Sequence, residues 1–197
     1  MENLLNKESV KRVLKVLNDF DPSITVETLD TTARTAKDAA ESLKTEIGSI
    51  VKSLLLRRQS SFLLCLVAGD KRCSLNKIKK LLNEKDVSMA NADQVKEITG
   101  FTIGGVSPVG HLNKVKKLLN EKDVSMANAD QVKEITGFTI GGVSPVGHLN
   151  KVDIFIDESL ARFTNLFAAA GHPYSIFKIN FDNLCKITKG SVKDISE

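Results

Sequence analysis

The sequence predicts an α/β chain folded as a single mixed-sheet domain, and three observations carry that expectation. First, the unit KKLLNEKDVSMANADQVKEITGFTIGGVSPVGHLNKV fills 79–115 and returns unchanged at 116–152, a period of 37 residues. Removing one copy leaves 160 residues, enough for one domain with a sizeable core. Second, two strongly apolar runs, Ile50–Arg57 and Phe62–Ala68, flank Arg58-Gln59-Ser60-Ser61, which is the pattern of a hairpin. Third, helical and extended patterns alternate irregularly, which favours a largely antiparallel or mixed sheet over a doubly wound one.

Taken in order, Val10, Val13, Leu14 and Leu17 recur at helical spacing and predict a helix over 8–18. Asp21-Pro22-Ser23 is a turn signal, and Ile24–Leu29 alternates as a strand. Thr35 and Asp38 have capping-box spacing ahead of Ala36, Ala39, Ala40 and Leu43, so a second helix is expected, ending at Gly48. The two apolar strands follow. Each repeat unit then supplies a short helix (Ile78, Leu81, Leu82; or Val115, Leu118, Leu119), a helix after Asn-Ala-Asp, and a glycine-rich loop, TIGGVSPVGH. A strand at Val152–Ile156, a helix near Glu158–Phe167, a loop at Gly171-His172-Pro173, a strand at Tyr174–Ile179 and a helix at Phe181–Ile187 complete the chain.

Two perfect copies do not make a solenoid, which needs about three mutually burying repeats. A tandem duplication is the favoured reading, with 1–197 one domain and one of the copies 79–115 and 116–152 extruded. Copy 2 is expected to dock, because Asn113-Lys114-Val115 reproduces Asn76-Lys77-Ile78 and copy 2 runs directly into the strand at Val152. A hybrid using the first helix of copy 1 is a second arrangement. The extruded copy would expose Leu and Val, which favours self-association.

The net charge of +4 permits RNA contact without arguing for it. Three cysteines, Cys65, Cys73 and Cys185, show no CxxC spacing and fit a reducing compartment. No apolar run approaches the roughly 20 residues of a bilayer span, and no secretory signal opens the chain, so a cytoplasmic location with no membrane partner is expected.

Few motifs carry chemistry unaided. Gly105–Gly110 has the GxxxxG spacing of a phosphate loop, but His111-Leu112 stands where Lys-Ser/Thr is required. A Gly-Gly turn followed by Pro still presents backbone amides in a stiff frame, although a purely structural turn reads as well. Lys52 interrupts the run IVKSLLL on the face of Ile50, Leu54 and Leu56, where burial would lower its pKa; a lysine snorkelling from an edge strand is the bland alternative. His172 is a ligand or base candidate, or a surface histidine. The histidines and cysteines show no zinc spacing.

In order along the chain, Thr32–Ala40, Ile50-Val-Lys-Ser-Leu54, Ala68-Gly-Asp-Lys-Arg72, VKEITGFTIGGVSPVGH, Ala-Ala-Gly-His-Pro and Val192–Ser196 resemble the YbaK/prolyl-tRNA editing domain family. The resemblance implies an aminoacyl-tRNA deacylase that hydrolyses mischarged tRNA, typically tRNA for proline carrying alanine or cysteine. It implies aminoacylated tRNA as partner, an aminoacyl-tRNA synthetase as a further one, and no metal or cofactor. It makes Lys52 the key lysine, positioning the tRNA end or stabilising charge at the ester. The family's GxxxP loop is matched by Gly141, Gly142, Val143, Ser144 and Pro145, with Gly104, Gly105 and Pro108 as the copy-1 equivalent. His172 and Thr35 are the further pocket residues it suggests. A non-catalytic tRNA- or synthetase-binding module is the alternative reading, and an inactive duplication product a third.

Overall fold

The computed structural model describes residues 4–29, 35–58, 61–84, 86–111 and 153–197. Copy 1 therefore falls within the description, except for one residue and its last four. All of copy 2 falls outside it.

An eight-stranded mixed sheet forms the centre, in the order β1-β7-β6-β2-β3-β5-β8 with β4 also on β2. Its strands are β1 Val26–Thr28, β2 Ile50–Arg58, β3 Ser61–Ala68, β4 Val87–Met89, β5 Asp153–Asp157, β6 Leu166–Ala169, β7 Ser175–Ile179 and β8 Ser191–Lys193. The predicted hairpin is β2–β3, antiparallel from Val51↔Ala68 to Arg58↔Ser61. β5 then lies parallel to β3, and β6 parallel to β2.

The two faces of β2 explain the two layers. Val51 and Leu55 join Leu64, Leu66 and Ala68 in the main core under α1 (Glu8–Phe20) and α4 (Ala92–Thr99). Val13 and Leu17 of α1 are fully buried there, as their helical spacing predicts. On the other face, Ile50 packs under α2 (Ala36–Leu43), and Leu54 and Leu56 pack with Ile78 of α3 (Leu75–Leu82). A last helix, α5 (Phe181–Thr188), buries Leu184 in the main core.

Three strands differ from the sequence expectation. Leu166–Ala169, read as the end of a helix, is β6; only Glu158–Arg162 makes a helical turn, of 3-10 type. Four residues flanked by β2 and β7 gain ladder hydrogen bonds on both sides, and this overrides the helix propensity of LFAAA. β4 and β8, three residues each, are too short to show a period. α2 also ends earlier than Gly48, at Lys44, which takes the left-handed conformation (φ 51°).

The C-terminal tail is held by a buried carboxylate. Asp157 is fully buried and accepts from the Ser159 amide and hydroxyl, from the Ile195 amide (3.1 Å) and from the Ser196 hydroxyl (3.0 Å). This sets the tail against the turn after β3, where Ser74 donates to the Ile195 carbonyl (2.8 Å) and Arg72 and Glu197 exchange amide bonds (3.0 Å each). Asp157→Ala orphans four donors, two of them in the buried tail, so a loss of about 3–5 kcal/mol is expected in denaturant melts.

Candidate functional site

β2 carries two different strands on one edge. β6 pairs at Ile50 and Val51, β4 pairs at Leu56–Arg58, and Ala90 donates to the Leu55 carbonyl (2.9 Å). Between them the edge at Lys52–Leu54 has no strand partner among the described residues. A cavity of about 350 Å³ opens in that gap. It is lined from one layer by Thr35, Ala36 and Ala39, from the other by Val51, Leu55, Val95 and Val106, and across the gap by Ile103, Gly104, His172 and Pro173. The walls are mainly aliphatic. Met89 and Ile103, 49% and 64% exposed, form an apolar rim.

Lys52 lies in this wall, on the face of Ile50, Leu54 and Leu56 that the alternation predicts. Its ammonium donates to the Lys71 carbonyl in the turn after β3. Burial pushes its pKa below the ordinary lysine value, while nearby Asp70 and Cys73 act in the opposite direction. Asp70 is itself fixed by Arg162, whose Nη2 donates to both carboxylate oxygens (2.9 and 3.0 Å).

The glycine-rich loop at the cavity is that of copy 1. Gly104 takes a positive φ (89°), which a side chain would strain. A Cβ on Gly105 would sit 2.9 Å from Pro173 Cδ and 3.0 Å from the His172 carbonyl carbon, so the two loops touch only because Gly105 is bare. The Gly105 amide closes a turn onto the Thr102 carbonyl (3.0 Å), and Ser107 Oγ accepts from the Val109 amide (3.3 Å). The Gly104 and Val106 amides have no protein partner among the described residues. Pro108 follows as a buried residue.

This seating differs from the expectation for copy 2, whose Gly141, Gly142, Val143, Ser144 and Pro145 lie outside the described residues. The reason is helix continuity. α3 starts in unduplicated residues, and Ile78, fully buried, runs straight into copy 1. Seating copy 2 would place Val115 there, one methylene smaller, at a cost of about 1 kcal/mol. The connection from His111 to β5 lengthens from 4 to 41 residues, which costs only about 2 kcal/mol of closure entropy.

His172 and Thr35 both reach the cavity wall. His172 Nδ1 accepts from the Tyr174 amide (3.3 Å), so Nε2 is left for a ligand; burial and the charge of Lys7 lower its pKa. Thr35 is also the helix cap: its hydroxyl accepts from the Asp38 amide (3.1 Å), and Asp38 accepts from the Thr35 amide (3.2 Å). The sequence reading missed Met89, Ala90 and Ser53. The Ser53 hydroxyl is buried without a partner among the described residues. The interruption of an apolar strand by two consecutive polar residues, Lys52 and Ser53, was the available signal. Among the described residues no three His, Cys, Asp or Glu cluster as metal ligands, and no helix is long and apolar enough to cross a membrane.

His111 closes the copy-1 loop, donating from Nε2 to the Ser107 carbonyl (2.5 Å) with its ring edge-on to Phe101. Burial, with Arg12 nearby, pushes its pKa down to about 4 from 6.5. A depressed histidine pKa means that only the unfolded chain binds the proton between the two values. Stability is therefore full above pH 6.5 and falls toward pH 4, by roughly 1–3 kcal/mol once partial exposure is allowed for. His111→Gln should flatten the pH dependence of Tm across that window.

The family model for the aminoacyl-tRNA editing domain matches the chain twice, over residues 30–116 and 110–187. The chain belongs to the aminoacyl-tRNA editing domain family. This is a family of deacylases, and the duplication explains the two overlapping matches, each containing one copy of the loop. Curated relatives are proline–tRNA ligases: that of Thermosipho africanus is 38% identical over 77 residues, covering 39% of this chain and 14% of the ligase. That of Kosmotoga olearia is 35% identical over 100 residues, covering 48% and 17% respectively. The chain thus spans about a seventh of the length of these ligases. A solved structure described as a candidate trans-editing enzyme for prolyl tRNA synthetase is 29% identical with TM-score 0.73, covering 97% of this chain and 98% of that one. A second solved structure, of a protein without assigned function, shares the fold at TM-score 0.71 and 20% identity, covering 94% of this chain and 99% of that one.

Proposed function

We propose that the chain hydrolyses in trans the ester of mischarged aminoacyl-tRNA, with tRNA for proline carrying alanine or cysteine as the expected substrate. The observation that carries this is one cavity lined by Lys52, by Gly104, whose amide has no partner among the described residues, and by aliphatic walls at a gap in the sheet. A small aliphatic or thiol side chain suits those walls. The rim of Met89 and Ile103 offers an apolar shelf for the terminal base. Exclusion of larger side chains follows from volume, although one methylene discriminates by only about 10- to 200-fold.

In this reading a water adds to the ester carbonyl carbon. The developing oxyanion is met by the Gly104 amide and the Lys52 ammonium, and the bond to the ribose oxygen then breaks, the proton passing to that oxygen. No carboxylate lines the cavity among the described residues. With His172 Nδ1 taken by the Tyr174 amide, neutral His172 offers an Nε2–H donor, and removal of the water proton falls to the neighbouring hydroxyl of the terminal ribose. Lys52 acts on charge and position, not as a nucleophile.

The relation to proline–tRNA ligases supports a partnership with that synthetase, and the presence of a second copy of the same apolar segment in the sequence is the ground for expecting self-association. Light scattering of the full chain and of the 160-residue chain tests the second: a larger mass for the full chain is expected, and equal monomers would contradict it. The experiment for the function itself separates binding from hydrolysis. Lys52→Ala should lower turnover by about 10²- to 10³-fold while tRNA binding persists. Turnover undiminished by this change would overturn the mechanism, and binding with no turnover in the unaltered chain would favour the non-catalytic module.

A further inference from the structure

Two free thiols, outside the proposed chemistry, lie on the same face of the sheet as Lys52. Cys65 on β3 is opposite Leu54 on β2, diagonal to Lys52, and is fully buried. Cys73 is half-buried, in the turn that leaves β3, and pairs by an isolated bridge with Ser196 of the tail. Cys65 and Val67 belong to one buried cluster, and Cys73 and Leu54 pack against it. Cys73 also stands immediately before Ser74, the N-cap of α3, where the helix end favours a thiolate. The neighbouring Cys65 side chain and, to a lesser degree, the charge of Lys52 hold the Cys73 pKa below the ordinary thiol value, against burial and the charge of Asp157.

The geometry points to Cys73 and Cys65 as a hydroperoxide-formed disulfide site that disables the seat of Lys52. Cys73 is the accessible, attacking sulfur and Cys65 the buried, resolving one, the arrangement of redox-sensing pairs. The Cys73 thiolate attacks a peroxide oxygen, the O–O bond breaks, and Cys73 becomes a sulfenic acid. The Cys65 sulfur then attacks Cys73; the S–S bond forms, the S–O bond breaks, and the departing hydroxide takes the Cys65 proton. Two thiols lose two electrons and two protons, and the peroxide is reduced to water.

The consequence follows from where the new bond would lie. Residues 65 and 73 bracket the turn that contains Asp70 and the Lys71 carbonyl, the acceptor of the Lys52 ammonium. Drawing Cys73 to bonding distance of Cys65 shifts that turn and removes a sulfur that, when ionised, favours the Lys52 charge. This consequence, unlike the site itself, rests on the role proposed for Lys52.

The test treats the full chain with a small excess of hydrogen peroxide, then follows peptide mapping and deacylation of alanyl-tRNA for proline. Cleavage after Lys71 and Arg72 separates the two cysteines, so the disulfide appears as a linked pair of peptides. The expected result is that linked pair, a fall in deacylation of at least about tenfold, and recovery with dithiothreitol. Cys65→Ser should stop Cys73 at a sulfenic acid that dimedone traps, and Cys185→Ser should change nothing. No linked pair, or Cys185 oxidised ahead of Cys73, would overturn the site. A linked pair with an unchanged rate would overturn the switch. Because the linked pair is read by mass alone, it stands or falls separately from the deacylase reading.

Discussion

Lys52→Ala is expected to lower single-turnover hydrolysis of alanyl-tRNA by about 10²- to 10³-fold, the usual effect of removing one charge-stabilising donor from an ester-cleaving site. The fold should survive. Lys52 is half-buried, its charge is penalised by burial, and among the described residues its ammonium donates to the Lys71 carbonyl. Removing it leaves no buried cation behind, so Tm should hold or rise. The affinity for tRNA should change little, because the role proposed for Lys52 is at the ester. Filter binding and quenched-flow hydrolysis on the same protein separate the two effects. A loss of binding in step with the loss of rate would reassign Lys52 from the chemistry to docking.

The second large effect concerns the loop. A valine at Gly105 drives Cβ into Pro173 and the His172 backbone, and a displacement of about 1 Å in such a site can cost about 10²-fold. Identical copies make the single change informative in an unusual way. Gly142→Val alone should leave rate and stability unaltered, because copy 1 holds the seat. Gly105→Val alone should cost about 1 kcal/mol of stability as copy 2 takes over with Val115 in place of Ile78, with hydrolysis retained. The double variant, having no usable loop, should lose about 10²-fold in rate. If Gly105→Val alone abolishes hydrolysis, copy 2 cannot reach the site and is not redundant. If the double variant is active, the loop does not form the site. Deleting either copy yields the same 160-residue polypeptide, so only such marked copies can tell which is used.

Local signals were legible and long-range ones were not. The face of Lys52 follows from period-two alternation, and the Thr35–Asp38 capping box is visible as spacing and present as hydrogen bonds. The gap that makes the cavity is different. It exists because β4 and β6 reach the same edge of β2 at separate heights, from segments far apart in the chain. Neither strand is long enough to announce itself, and β6 is alanine-rich. The neighbours of Lys52 were hidden for the same reason: Cys73 and the Lys71 carbonyl come to it by a turn whose path is set by the tail, which Asp157 holds. Choosing between copies of equal sequence required the one asymmetric fact, that α3 begins before the repeat does.

The most direct measurement is single-turnover hydrolysis of tRNA for proline charged in parallel with alanine, cysteine and proline, using the full chain against the spontaneous rate. The account predicts rapid cleavage of the alanyl or cysteinyl ester and sparing of the prolyl ester. Loss of all three esters at the spontaneous rate, with the protein folded and tRNA bound, would contradict it.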